Sequence, residues 1–216
     1  MTRLRIAPIV EGHGDEISVR KLLERVWYEV AGGEWVDVLK PVRRPRTKLL
    51  KRDPATKEIL PNRDEIHRAI KLASMKLANT EPDTPRLVLL MFDADEDCPK
   101  KIVEALESIL KLVDPSVDLA MVFPHVEYET WFVAAADSLR DFLDLRPGDE
   151  KILDPETARL GKKWIQDRFR HHRYSETLDQ VRLTHVMDLR LCRERSPSFH
   201  KLCRELESRS KVDNRT

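Results

Sequence analysis

Apolar positions along this chain follow two periods in alternation. Leu4–Val10, "LRIAPIV", is a nearly unbroken apolar run of strand length. The stretch after it, "EISVRKLLERVWYEVA", carries Val19, Leu22, Leu23, Val26 and Val30 at helical spacing, and Gly32-Gly33 ends that helix. Residues 34–42, "EWVDVLKPV", predict a second strand, and 43–62 a basic loop punctuated by prolines. Asp64 is placed to cap a helix over 65–79, which "EPDTP" breaks. "RLVLLMFDADED" (86–97) begins with the strongest strand signal in the chain. Pro99 then opens a helix running to Val113, "DLAMVF" (118–123) predicts another strand, and 127–143 another helix. Strands alternating with helices predict an α/β fold with a mostly parallel, Rossmann-like sheet covered on both faces. From about Pro147 the pattern is helical throughout. The expected division is therefore an α/β domain over 1–146 and a helical extension over 147–216 packed on the same domain, with a frayed tail.

Composition narrows the classes. With 41% hydrophobic and 36% charged residues among 216, a buried core is expected and general disorder is not. The formal net charge of +1 removes any global argument for nucleic-acid binding, which must rest on local clusters. No apolar stretch approaches the roughly 20 residues that span a bilayer, so no membrane partner is expected. The N-terminus, interrupted by Arg3 and Arg5, does not read as a signal peptide. Three cysteines, Cys98, Cys192 and Cys203, form no disulfide framework, which predicts a reduced, cytoplasmic protein. With His200 they also lack a fourth zinc ligand at familiar spacing; a place in the core is the simpler expectation for Cys192 and Cys203.

The chemistry lies where two apolar runs end in acid. "IVEGHGDE" places Glu11 just past the first strand and Asp15 in the first turn of the next helix; "LLMFDADED" places Asp93 and Asp95 past the strongest strand. In an open parallel sheet both ends emerge at the carboxyl edge, where ligands bind. Alternation puts Asp93 and Asp95 on one side while the chain remains extended. Carboxylates crowded together repel unless a cation neutralises them, and hard oxygen donors suit Mg²⁺ or Mn²⁺. The alternative for each motif alone is a polar loop or a helix cap, and Asp97 in particular is placed to cap the helix opened by Pro99.

These residues resemble the Toprim family, whose members carry a glutamate after the first strand and a D-x-D after a later one. The resemblance puts Glu11 at the glutamate and Asp93 and Asp95 at the D-x-D, and implies a Toprim-like fold and Mg²⁺-dependent phosphoryl transfer at DNA. The E-G-x-x-[DE] form of Glu11, Gly12 and Asp15 is similar to OLD-type nucleases, which implies one or two ions. "HVEYETWFVAA" resembles an E-x-W-F motif of small stand-alone Toprim-like proteins often found beside ATPase partners. On that resemblance Glu129 joins the metal ligands, with Glu127 as the alternative, while Trp131 and Phe132 belong to the core. "YSETLDQ" and "SPSFHKL" resemble the C-terminal part of those proteins, without an assigned role.

Substrate contacts rest on local charge. Lys40, Arg43, Arg44, Arg46, Lys48, Lys51 and Arg52 follow one another with no intervening acid, either as a solvated loop or, with Arg43, Arg44, Arg46 and Lys48 foremost, as a grip on backbone phosphates. "GKKWIQDRFRHHR" is a second cluster or an amphipathic helix, and its Lys163 is the candidate for stabilising the transition state. His13 and His125 either orient water and phosphate or are loop histidines. No P-loop motif occurs, so an ATPase would be a separate partner. The expected function is a Mg²⁺- or Mn²⁺-dependent nuclease with Glu11, Asp93, Asp95 and Lys163 catalytic, and phage or plasmid defence as the setting by analogy. The alternatives are a non-catalytic module that binds DNA or an ATPase, and a phosphatase with an aspartyl nucleophile.

Overall fold

The computed structural model describes residues 2–81, 83–110, 118–149, 161–170 and 172–211. Its centre is strand β1 (Arg3–Val10), buried on both faces over most of its length. Helix α1 (His13–Arg25) follows, prolonged by a π-helical turn over Val26–Val30. The second predicted strand is split into β2 (Trp35–Val38) and β3 (Val42–Arg43), which pair with successive halves of β1. Proline explains the split. Arg5 N–H donates to Pro85 on one side of β1 (2.9 Å), and alternation turns Pro8, which has no N–H, to the other side. There the pairing lapses between Ile6↔Val38 and Ile9↔Val42, with Pro41 in the gap.

The stretch 43–62 is more ordered than a loop. It forms α2 (Arg46–Leu49) and a small antiparallel hairpin of β4 (Leu50–Arg52) and β5 (Ile59–Pro61). Leu49 and Leu50 are buried, and they anchor this basic segment to the core. Helix α3 (Arg63–Leu77) is capped by Asn62, whose side chain accepts from Glu65 N–H, and not by Asp64, which sits inside the first turn.

Strand β6 (Arg86–Met91), helix α4 (Pro99–Leu110) and strand β7 (Asp118–Val122) complete the sheet, in the order β2–β1–β6–β7 with every pair parallel and β3 beside β1. The last turn expected for the α4 helix, 111–113, lies outside the described residues. The helix expected over 127–143 is a short α5 (Glu129–Ala134) followed by a 3₁₀ turn, Ala136–Leu139. Helices α6 (Gly161–Gln166), α7 (Glu176–Val186), α8 (Leu189–Arg195) and α9 (Pro197–Ser210) follow. Residues 150–160, and 212–216 of the expected frayed tail, are outside the described set. No helix among the described residues is long and apolar enough to cross a membrane.

Two apolar layers sandwich the sheet. Ala7, Ile9, Val88 and Leu90 meet α3 and α4 on one face. Leu4, Ile6, Leu87 and Leu89 meet α1, α5 and the helices α7–α9 on the other, with Trp131, Phe132, Cys192, Phe199 and Cys203 wholly buried among them. The chain is thus an α/β protein with a parallel central sheet, helices on both faces and C-terminal helices. Successive connections leave β1 in opposite directions, to β2 and β3 on one side and to β6 on the other. The carboxyl ends of β1 and β6 therefore flank the point where strand order reverses, the place where open α/β sheets form their crevice.

Candidate functional site: the acidic strand ends

Glu11 leaves β1 and Asp93 leaves β6 at that crevice, and the turn after β7 brings Glu127 and Glu129 beside them. Asp93 is the centre of the group. Burial raises its pKa well above the ordinary aspartate value, and the negative charges of Asp15, Glu129, Glu11 and Glu127 push in the same direction. Its Oδ1 accepts the Tyr128 backbone N–H at 3.0 Å. The carboxylates of Glu11, Asp15, Asp93, Glu127 and Glu129 thus gather at the carboxyl edge of the sheet, and the other four act on Asp93.

Each carboxylate has its own support. Glu11 is raised chiefly by burial, opposed by a hydrogen bond from the Arg46 backbone. Asp15 Oδ2 accepts the Gly12 N–H (3.0 Å), and Oδ1 accepts from Gln180 Nε2 (3.1 Å). Glu129, only 3% exposed, is pushed up to about 7 by burial, against a 2.8 Å hydrogen bond from the Tyr174 hydroxyl. The Tyr174 phenol is itself raised by burial and by Glu129, so it remains a donor. Glu127 Oε1 accepts the Lys162 backbone N–H (2.6 Å).

Asp95 departs from the expected alternation. The backbone turns into the left-handed region there (φ 51°), and its N–H donates to Val126 (2.8 Å), itself at φ 65°. A β-branched residue in that region costs on the order of 1–3 kcal/mol and marks a turn held by its surroundings. Asp95 still adds negative charge at Glu11, but its side chain is 60% exposed and pairs with Arg46 Nη1 (3.1 Å). Asp97 is buried and receives both Arg46 and Arg52, the latter through Nε at 2.8 Å.

The basic residues divide accordingly. Arg46 is held by Asp95, Asp97 and the Ala94 carbonyl, and its Nε is buried without a partner among the described residues. Arg44 lies 4.0 Å from Glu65 and Arg43 lies 3.9 Å from Glu16, while Lys48 is exposed. Lys163 turns to Asp167 (2.7 Å). Its neighbour Lys162 is the lysine whose charge acts on Glu129, and it also pairs with Glu176. His13 is exposed beside Glu16 (4.0 Å).

From the sequence, Lys162 is placed only in the basic cluster "GKKWIQDRFRHHR", and Tyr174 and Gln180 have no assigned role. The signal was present, since Tyr174 and Gln180 are the two ends of "YSETLDQ". Among the described residues no three Asp, Glu, His or Cys side chains are already arranged to hold a metal ion. The donor set nevertheless fits a hard divalent cation: it is all oxygen, semi-buried and mutually repelling. Glu11, Asp15, Asp93 and Glu129 are the residues that could hold one.

No curated protein matches the chain. It is similar to the solved C-terminal region of the Xanthomonas campestris pv. campestris OLD protein, at 11% identity over 98% of either chain, with a TM-score of 0.32, too slight a likeness to carry an argument. Residues 10–207 match the family described as Domain of unknown function (DUF4276), and the chain belongs to that family.

Proposed function

We propose that the protein is a divalent-cation-dependent nuclease whose site is the carboxylate group at the ends of β1, β6 and β7. The observation that carries this reading is the environment of Asp93, buried and surrounded by the negative charges of Asp15, Glu129, Glu11 and Glu127. Such a group is costly to hold ionised in a metal-free protein and is stabilised when a cation binds. Glu11, Asp15, Asp93 and Glu129 are the ligands in this reading. Asp95 is the second acid of the D-x-D, paired with Arg46 beside Glu11. A Mg²⁺ or Mn²⁺ ion held there supplies charge neutralisation at phosphate and activation of water for in-line attack.

The chain's own residues do the rest. Lys162 is better placed than Lys163 to moderate the charge of Glu129. Arg43, the last residue of β3, and Lys48 in α2 are both exposed and meet backbone phosphates in this reading, while Arg46 orders the segment between them and the acids. On the motif resemblance the reading extends to DNA as substrate, with a separate ATPase as partner and phage or plasmid defence as the setting.

Supercoiled plasmid incubated with the full chain in Mg²⁺ or Mn²⁺ tests it. Nicking by the wild type and its loss in Asp93→Asn are expected. Equal nicking by both proteins would sink the reading.

A further inference from the structure

Three donors reach the acidic strand ends from residues 161–180, one to each of three carboxylates. Lys162 N–H meets Glu127, the Tyr174 hydroxyl meets Glu129, and Gln180 Nε2 meets Asp15. Gln180 is the most sequestered of the three, at 2% exposure. The amide turns its NH₂ group to Asp15, whose carboxylate oxygen accepts. Gln180 Oε1 then remains buried without a hydrogen-bond partner among the described residues. Leaving an amide oxygen unsatisfied costs free energy, so the Asp15 contact offsets a penalty that an apolar side chain would avoid.

Backbone packing is built around this contact. A Cβ at Gly14 would come within 2.2 Å of Gln180 Oε1 and 3.1 Å of the Glu176 carbonyl, so α1 and α7 approach as closely as they do because residue 14 is glycine. Arg25 fastens the other end of the same helix pair, donating to the carbonyls of Thr184 (2.9 Å) and Met187 (2.8 Å). Asp15 in turn is the strongest of the charges acting on Asp93.

We propose that Gln180 is a positioning residue of the cation site: it fixes the Asp15 carboxylate beside Asp93, so that α7 forms part of the site's second layer. This rests on the cation-binding reading above. Residues that orient a metal ligand by hydrogen bonding typically alter metal affinity by about 10- to 100-fold when removed.

Mn²⁺ binding to the full-length protein, followed by the loss of the free-ion paramagnetic resonance signal, provides the test. Gln180→Met keeps the length and removes the N–H donor; Gln180→Asn keeps the amide but falls short of Asp15. Both are expected to bind Mn²⁺ about 10-fold more weakly than wild type while unfolding cooperatively in chelator. In an Asp15→Asn background, Gln180→Met is expected to cost no further affinity, because Gln180 acts through Asp15. Wild-type affinity in both single variants, whatever their melting temperatures, would make Gln180 a packing residue and overturn the proposal alone. Absence of Mn²⁺ binding by the wild type would instead overturn the cation reading, and this proposal with it.

Discussion

Glu129 shows what burial does to a single acid. At 3% exposure its carboxyl is moved from the ordinary 4.5 to about 7, even with Tyr174 donating to it. The folded state therefore holds a proton between those two pH values that the unfolded state has released. Stability from this group is fully present below about 4.5 and is lost as pH rises through about 7, by an amount on the order of 3 kcal/mol. Asp93, raised in the same direction, adds to the same trend. Denaturant midpoints in chelator should fall between pH 5 and pH 8, and Glu129→Gln should reduce that fall. An identical pH dependence in the two proteins would contradict the buried-acid account. At this scale the placing of Glu11 and Asp93 at one edge was legible from the sequence, because each acid directly follows an apolar run, and that of Asp15 because the first turn of α1 starts at the same edge. Glu127 and Glu129 were harder to separate, since the turn after β7 and the first residue of α5, not a regular strand, present them. Asp95 acts on Glu11, but the alternation expected while the chain is extended stops there, because the backbone leaves the extended region at Asp95.

Elements position these residues through two close approaches. Gly14 admits α7 to α1, and Gly161 admits α6 to the start of α5, where a Cβ would lie 2.9 Å from Thr130 N. Taken alone, glycine to alanine in a helix adds up to about 1 kcal/mol of stability. At Gly14 the opposite sign is expected. Gly14→Ala should destabilise by roughly 1–3 kcal/mol, because the new Cβ must displace the buried Gln180 amide and press on the Glu176 carbonyl, and a urea midpoint at or above that of wild type would show that the helix pair is not tightly seated. The elements themselves were mostly readable from period. Exceptions trace to local chemistry: Pro8 and Pro41 divide the second strand, Asn62 takes the capping role expected of Asp64, and Leu49 and Leu50 pull the expected basic loop into α2 and β4. An isolated pair of leucines in a charged stretch carries no period, which is why that order was not visible.

Across the molecule, the strand order β2–β1–β6–β7 is what makes one site of motifs about 80 residues apart in the sequence. The alternation of strands and helices indicated such an edge, but not the part taken by the C-terminal helices. Gln180 and Tyr174 reach Asp15 and Glu129 across 165 and 45 residues, and contacts of that range leave no trace in local pattern. Tyr128 bonded to Thr184 (2.9 Å) and Trp131 Nε1 bonded to Ser198 (2.9 Å) tie the same helices to the third acidic motif. In the proposed function this assembly gathers negative charge in order to hold a divalent cation. Calorimetric titration of Mn²⁺ into chelator-stripped wild type and Asp93→Asn tests it most directly. Saturable binding by the wild type at one or two sites, and its loss in Asp93→Asn, are expected. Indistinguishable titrations of the two proteins, with or without heat, would contradict it.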